Sequence, residues 1–259
     1  MKSKTYIIAP DPHAHPDFSN ERADWLGKLI LDIRPDVVVN MGDTFDMPSL
    51  SSFDKGKASF QGASYEKDIN SGIDFLDRMW HPIRKAKKKK PKSVYLYANH
   101  ERRLDKVLEY QPELSGSKYG ISKKDYCLDD YHNVVVDYNG QTPGIYQSDG
   151  INFAHFMVSG VMGRPIGGDN AARTLLSKTH SSCIVAHSHL VDYAVHSSPD
   201  GKKTMGLVAG VYTDYQSPWA GNVQNLWWSG VQILRSVEGG TFDPSFISLE
   251  ALRREYGQT

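Results

Sequence analysis

The chain has 259 residues, and its 30 basic and 30 acidic side chains cancel to a formal net charge of zero. That balance excludes binding of nucleic acid by bulk charge alone, while leaving room for a local basic patch. Apolar residues at 39% and aromatic residues at 11% suffice for a buried core, so a chain disordered throughout is excluded as well.

No apolar run approaches the ~20 residues of a membrane helix. The opening MKSKTYIIAPDP is too short in apolar residues for a secretory signal. Cys127 and Cys183 give neither a disulfide framework nor a CxxC zinc pattern and are expected to be inert thiols. A cytoplasmic protein with no membrane partner is the expectation.

Thr5 to Ala9 is a short apolar run that stops at Pro10 and Asp11, the pattern of a buried strand ending in a polar loop. Ser19 or Asn20 can cap the helix that follows, whose face is Leu26, Leu29, Ile30 and Ile33 and which Pro35 closes. Asp36 to Met41 is a second buried strand, ending at Gly42 and Asp43. Residues 47–64 lack a clear period and read as a long loop. Ile69, Ile73, Leu76, Trp80 and Ile83 mark a longer helix, and Ser93 to Ala98 a third strand ending at Asn99 and His100. Strand alternating with helix indicates an α/β fold with parallel strands.

Beyond Asn133 short strands succeed one another: VVVD, GIYQ and INFAHF. One helix, about 169–179, precedes SCIVAH, and strands near 191–196, 204–210, 226–235 and 241–248 follow. With no repeat and no Pro- or Ser-rich linker, a single domain over 1–259 with two stacked sheets fits best.

The chemistry stands where the apolar runs stop. Asp11 and His13 follow the first strand, Asp43 the second, and Asn99 and His100 the third; His155 lies in INFAHF, and His187 and His189 follow SCIVA. Loops at the carboxyl ends of parallel strands are where α/β sheets place ligands. Asp11, His13, Asp43, Asn99, His155, His187 and His189 mix oxygen and imidazole donors, which suits Mn, Fe, Zn or Ni better than calcium. Seven donors exceed the needs of one ion. With one bridging carboxylate they supply two ions with four ligands each, the arrangement that clamps the attacking and leaving oxygens of a phosphoryl displacement.

In order and spacing, DPH at Asp11–His13, GDTFD at Gly42–Asp46, ANHE at Ala98–Glu101, His155 and AHSH at Ala186–His189 resemble the calcineurin-like metallophosphoesterases. That family reads D-x-H, GD-x-x-D, GNH-[ED], a lone His and GH-x-H, so Ala98 and Ala186 stand where it carries glycine. WAGNVQNLWWSGVQIL also looks like an Asn-Trp-rich strand of phage and bacterial members, which implies a bacterial cell or phage-infected host.

The resemblance implies a four-layer α/β/β/α sandwich and two divalent ions, Mn²⁺ foremost. Asp11, His13 and His189 then hold one ion, Asn99, His155 and His187 the other, and Asp43 bridges. A hydroxide between the ions attacks phosphorus in line, His100 assists the leaving group, and Asp46 orients His100. Arg102 and Arg103 open a helix, and Arg103 is the expected grip on a substrate phosphate.

The serine/threonine phosphatases of the superfamily read GD-x-V-D-R-G; here Met47-Pro48 follow Asp46, so that arginine is missing. The expected activity is therefore phosphodiester hydrolysis on nucleic acid or nucleotides. Phosphomonoester hydrolysis is the alternative, and a non-catalytic scaffold the remaining one.

Other features have plainer readings. His15 and Asp17 read as a polar loop capping the next helix. His81, His132, His180 and His196 read as surface residues or neighbours of ligands. The run Arg84–Lys92 reads as a solvated helix end, and Trp219, Trp227 and Trp228 as packing, the last two inside a strand.

Overall fold

Alternate residues of the first three strands bury on opposite faces, as a parallel sheet covered on both sides requires. The computed structural model of the protein describes residues 3–116, 119–217 and 220–257; Trp219 lies outside them. Strand β1 (Lys4–Ala9), helix α1 (Glu21–Ile33), β2 (Val37–Asn40), α2 (Tyr65–Lys85), β3 (Lys92–Leu96) and α3 (Arg102–Tyr110) occur in the expected order. The short α4 (Leu128–Tyr131) and β4 (Val134–Val136) follow. The second half contains β5 (Tyr146–Ser148), β6 (Ile151–Phe153), β7 (Val158–Ser159), β8 (Arg164–Pro165), α5 (Ala171–Thr179) and β9 (Ser182–Val185). It ends with β10 (Val191–Ser197), β11 (Lys203–Ala209), β12 (Gly230–Glu238), β13 (Thr241–Ser248) and α6 (Leu249–Tyr256).

The strands form two mixed sheets with flanking helices. The first has the order β13-β12-β1-β2-β3-β4, with β1 to β4 parallel and β12 and β13 antiparallel. The second has the order β10-β11-β9-β6-β5, parallel at its centre and antiparallel at both edges.

Ile7, Val38 and Tyr95 pack with Leu26 and Ile30 of α1 and Phe75 and Met79 of α2 in one buried cluster. The intervening residues Tyr6, Ile8, Val39, Val94 and Leu96 join Phe153, Ile184 and Leu207 of the second sheet in another, with the Tyr6 and Phe153 rings stacked 5.8 Å apart. A third cluster joins Cys183, Val185 and Val208 to Ala172 and Leu175 of α5. Each such fully buried Leu, Ile or Phe contributes on the order of 1.5–3 kcal/mol of transfer free energy, so these clusters fix which strand ends lie together.

Several expectations need correction. Asn20 does not cap α1 with its side chain: its amide donates to the Ser71 carbonyl and to Asp74, tying α1 to α2, while Ser19 Oγ takes the Glu21 N–H. Residues 47–64 contain two 3₁₀ turns, Pro48–Leu50 and Ala58–Phe60. The strand expected from 226 begins at Gly230, because Gly221–Leu226 is a 3₁₀ helix. Its Gln224 side chain is spent on the Ser217 N–H and Tyr215 carbonyl, so Trp227 and Trp228 precede the strand. Helix α6 was hidden by the strand that runs straight into it, although Ser248 caps it by accepting the Ala251 N–H.

His132 is buried with neither ring nitrogen hydrogen-bonded, whereas His81, His180 and His196 are exposed. Among the described residues no helix is long and apolar enough to cross a membrane.

Candidate metal centre

Adjacent parallel strands of both sheets end at one place. Asp11, Asp43 and Asn99 follow β1, β2 and β3, neighbours in the first sheet; His155 follows β6, and His187 and His189 follow β9, neighbours in the second. The basic run ending at Lys92 starts β3 and therefore sits at the opposite end.

The backbone there is unusual. Asp11, His13, Asp43, His187 and His189 all have positive φ, between 34° and 67°. Asp and His tolerate the left-handed region better than most residues, yet such conformations cost on the order of 1–3 kcal/mol each and persist only where the surroundings over-determine them. Ala98 and Ala186, where the family pattern has glycine, are not among the positive-φ residues, so alanine is tolerated there. Gly42 is the true glycine requirement: φ is +94°, and a Cβ would lie 2.3 Å from the Leu96 carbonyl.

Three braces hold this backbone. The loops after β1 and β2 are laced by His13 N–H to Asp43 O (2.8 Å) and Ala14 N–H to Thr44 O (2.7 Å). The fully buried Glu101 carboxylate accepts the N–H groups of Asp43, Phe45 and Ala98 and the hydroxyl of Tyr95. Arg22, also fully buried, donates to the carbonyls of Pro12, His13, Ser19 and Tyr212 and pairs with Asp214. The Glu101 role was unread although the residue lay within the ANHE motif; for Arg22 the sequence offers no signal.

Within this frame the donor atoms converge. Asp11, His13 and His189 form one group whose ligand atoms lie within 4.8 Å of one another; Asp43, His155 and His187 form a second, and His13, Asp43 and His100 a third. Asn99 Oδ1 is 2.8 Å from His155 Nε2, which is 3.2 Å from Asp43 Oδ2. His13 Nε2 and His189 Nε2 approach to 3.1 Å. All seven expected donors are therefore brought together, together with His100 and Asp46.

Ring orientations follow from hydrogen bonds on the far nitrogens. His155 Nδ1 faces the Met41 carbonyl at 2.8 Å, which turns Nε2 towards Asp43 and Asn99. Asp46 Oδ1 lies 2.9 Å from His13 Nδ1 and 3.0 Å from His100 Nδ1, so it positions two histidines where one was expected. His100 Nδ1 also faces the Asp46 carbonyl at 2.8 Å, and its backbone N–H donates to Asp43 Oδ1.

Arg103 donates from Nη1 to the carbonyls of Asp46 and Met47, and its Nη2 is 3.3 Å from His100 Nε2. Arg102 instead bonds Gln141 and lies over the Tyr138 ring. Two aromatic residues adjoin the donors: Trp227, expected only to pack within a strand, and Tyr215, which no motif marks. Trp227 packs edge-on to His189 at 4.2 Å, and the Tyr215 hydroxyl donates to the His13 carbonyl. His15 accepts the Asp17 N–H within its loop and lines a cavity together with His100 and Arg103.

The electrostatics suit a cation. Burial pushes the Asp11 carboxyl up to about 8, and its Oδ1 is a buried atom without a hydrogen-bond partner. Burial opposes charge on His155, but the Asp43 and Asp11 carboxylates overcome it and raise the ring to about 9. Burial lowers His187 to about 4 and lowers His13 and His189. Asp43 and Asp46 resist burial because nearby histidines, His155 and His100 foremost, hold both carboxyls well below the usual range. Protons are thus held where a divalent cation would do the same work, and an orphaned carboxylate oxygen fits a metal ligand.

Neither a family model nor a curated protein matches the chain. The clustered buried His and Asp side chains have the donor types and mutual proximity of a metal-binding arrangement, consistent with a metal-dependent hydrolase.

Proposed function

We propose that the protein is a phosphoesterase that works with two divalent metal ions and hydrolyses phosphodiester bonds of nucleic acid or nucleotides, as the resemblance to calcineurin-like metallophosphoesterases implies. The observation that carries this reading is the pair of donor groups, Asp11/His13/His189 and Asp43/His155/His187, all buried but the half-buried His187, at the ends of parallel strands.

Asp11, His13 and His189 would hold one ion, Asn99, His155 and His187 the other, and Asp43 both. An imidazole-rich set with carboxylate and amide oxygens suits Mn²⁺, and also Fe, Zn or Ni. When bound, such ions supply Lewis-acid stabilisation at phosphorus and lower the pKa of water towards neutrality.

The remaining work belongs to the chain's own residues. His100 holds a proton on Nδ1 against the Asp46 carbonyl. Burial and the Arg103 guanidinium beside Nε2 disfavour a second proton, but the Asp43 carboxylate 3.9 Å from Nε2, with Asp46 behind, more than compensates and raises its pKa. That proton, on Nε2, is the one passed to the leaving oxygen. Arg103 is anchored through Nη1, and its Nη2, which faces His100 Nε2 at 3.3 Å, turns to a non-bridging phosphate oxygen once Nε2 carries its proton. Met47 is buried in the core, so the residue after Asp46 supplies no phosphate grip, and that role falls to Arg103, whose guanidinium reaches His100. We infer a single domain over 1–259 with the layer order α/β/β/α, in which the three buried clusters are the three interlayer cores.

Turnover of an aryl phosphodiester and an aryl phosphomonoester with added Mn²⁺, then with a chelator, tests the reading. Chelator-sensitive hydrolysis with the diester preferred supports it, and preference for the monoester selects the phosphatase alternative. Absence of metal-dependent turnover of either, with any divalent ion, leaves the scaffold.

A further inference from the structure

Two cavities share Arg103 in their lining, one reaching His100 and the other Asn99. One, of about 550 Å³, is lined by His100, Arg103, His15, Phe18 and Tyr215, with Phe18 and Tyr215 stacked face to face at 4.1 Å. The other, of about 640 Å³, runs from Asn99 and Arg103 past Arg102, Lys106 and Lys55 to Phe53 and Tyr110. The second is strongly cationic. Lys55, Arg102, Arg103 and Lys106 face it against the single carboxylate of Glu109, although the chain as a whole is neutral. Lys55 and Lys106 are exposed and form no ion pair among the described residues.

The aromatic residues in this groove are exposed where apolar rings ordinarily are not. Phe53 is 80% and Tyr110 84% exposed. Neither ring is needed for a core, and both flank the cations. Cations that track a phosphate backbone, interleaved with rings on which bases can stack, are the recognition chemistry of unpaired nucleic acid. A duplex keeps its bases stacked on each other and leaves such rings unused.

Resting on the phosphodiesterase reading above, we propose that the substrate is a single-stranded polynucleotide. Its backbone runs along Lys55, Lys106, Arg102 and Arg103 into the metal centre, and its bases stack on Phe53 and Tyr110 on one side and on Phe18 on the other. The basic run at Arg84–Lys92, at the far end of β3, takes no part.

The test uses the full metal-loaded chain and short fluorescein-labelled strands with phosphorothioate linkages, DNA and RNA, read by fluorescence anisotropy across a salt series. Matched duplexes and a phosphopeptide are run beside them. The double charge reversal K55E/K106E is compared with K88E/K89E, an equal change of charge at the opposite end, and with F53A/Y110A; thermal melting checks that each variant is folded.

The expected result is binding of single strands over duplex, with DNA against RNA naming the natural polymer. Affinity falls about tenfold or more in K55E/K106E and in F53A/Y110A, and K88E/K89E stays near wild type. The slope of log K against log salt becomes shallower by about 1.4 in K55E/K106E, two contacts at ~0.7 each. Loss of affinity in K88E/K89E with the groove variants unchanged overturns the proposal, as does preference for duplex or for the phosphopeptide. Wild-type turnover of an aryl phosphodiester separates the two readings. If that ester is hydrolysed while single strands do not bind, the groove is wrong and the phosphoesterase stands. If single strands bind through the groove while no ester is hydrolysed, the reverse holds.

Discussion

His13 and His189, 176 positions apart in the chain, face each other through Nε2 atoms only 3.1 Å apart. Since His13 Nδ1 is engaged by Asp46, its Nε2 lone pair points at its partner, and a shared cation is the simplest way to make both rings comfortable. Metal should therefore stabilise the fold. At a hundredfold excess over Kd a ligand specific for the native state adds ~2.7 kcal/mol, which for a chain of this size corresponds to roughly 5–10 °C in Tm. Calorimetry with and without Mn²⁺ or Zn²⁺ checks this; an unchanged Tm at saturation contradicts it.

The alkaline pH response should differ between metal-free and metal-loaded protein. Asp11, near 8, and His155, near 9, bind protons more tightly in the folded protein than unfolded. The stability this contributes is complete below the unfolded values and is lost as pH rises through about 8 and 9. The metal-free Tm should fall from pH 7 to 9.5, whereas the loaded protein, having exchanged those protons for metal, should be flat there. For the same reason metal binding at pH 7 should release protons and tighten as pH rises. Titration calorimetry in buffers of different ionisation enthalpy measures that release.

His100 and Asp46 should separate by phenotype. His100→Ala should keep metal near normal while turnover falls roughly 10²–10⁴-fold. Asp46→Asn disturbs the rings of both His13 and His100 and should weaken metal binding about 10–100-fold as well as turnover. The third donor group, His13/Asp43/His100, makes this a real contest. If His100→Ala loses metal as badly as Asp43→Ala, His100 is a ligand and the division of labour is wrong.

Gly42→Ala should be among the most damaging single-methyl additions, since it combines a positive φ with a Cβ only 2.4 Å from that of Ala98. A loss of about 2–4 kcal/mol is expected. Ala98→Gly should not improve stability, because that residue has no positive φ to relieve. Denaturant melts of both variants test the pair of statements.

The donors were legible in the sequence because buried parallel strands are short unbroken apolar runs, and the residue that interrupts each run is the one the sheet presents at its end. What supports them was not. Arg22, Tyr215 and Trp227 reach the site only through packing between distant segments, so no local pattern distinguishes them from other arginines and aromatics. Glu101 stood in a motif, but its service as acceptor for three backbone N–H groups depends on two loops coming together. His132 misled for the opposite reason: imidazole is usually placed at surfaces or ligands, and here it is buried against Trp80 and Tyr95. Helix α6 was lost at a boundary where one buried pattern passes into another.

Seven side chains are proposed to hold two ions about Asp43. Metal stoichiometry of protein saturated with Mn²⁺, with anomalous scattering to locate the ions, measures this directly. Two ions per chain are predicted, one beside Asp11, His13 and His189 and one beside Asn99, His155 and His187, with both lost or displaced in Asp43→Ala. A saturating stoichiometry of one or none, or two ions undisturbed by Asp43→Ala, would contradict it.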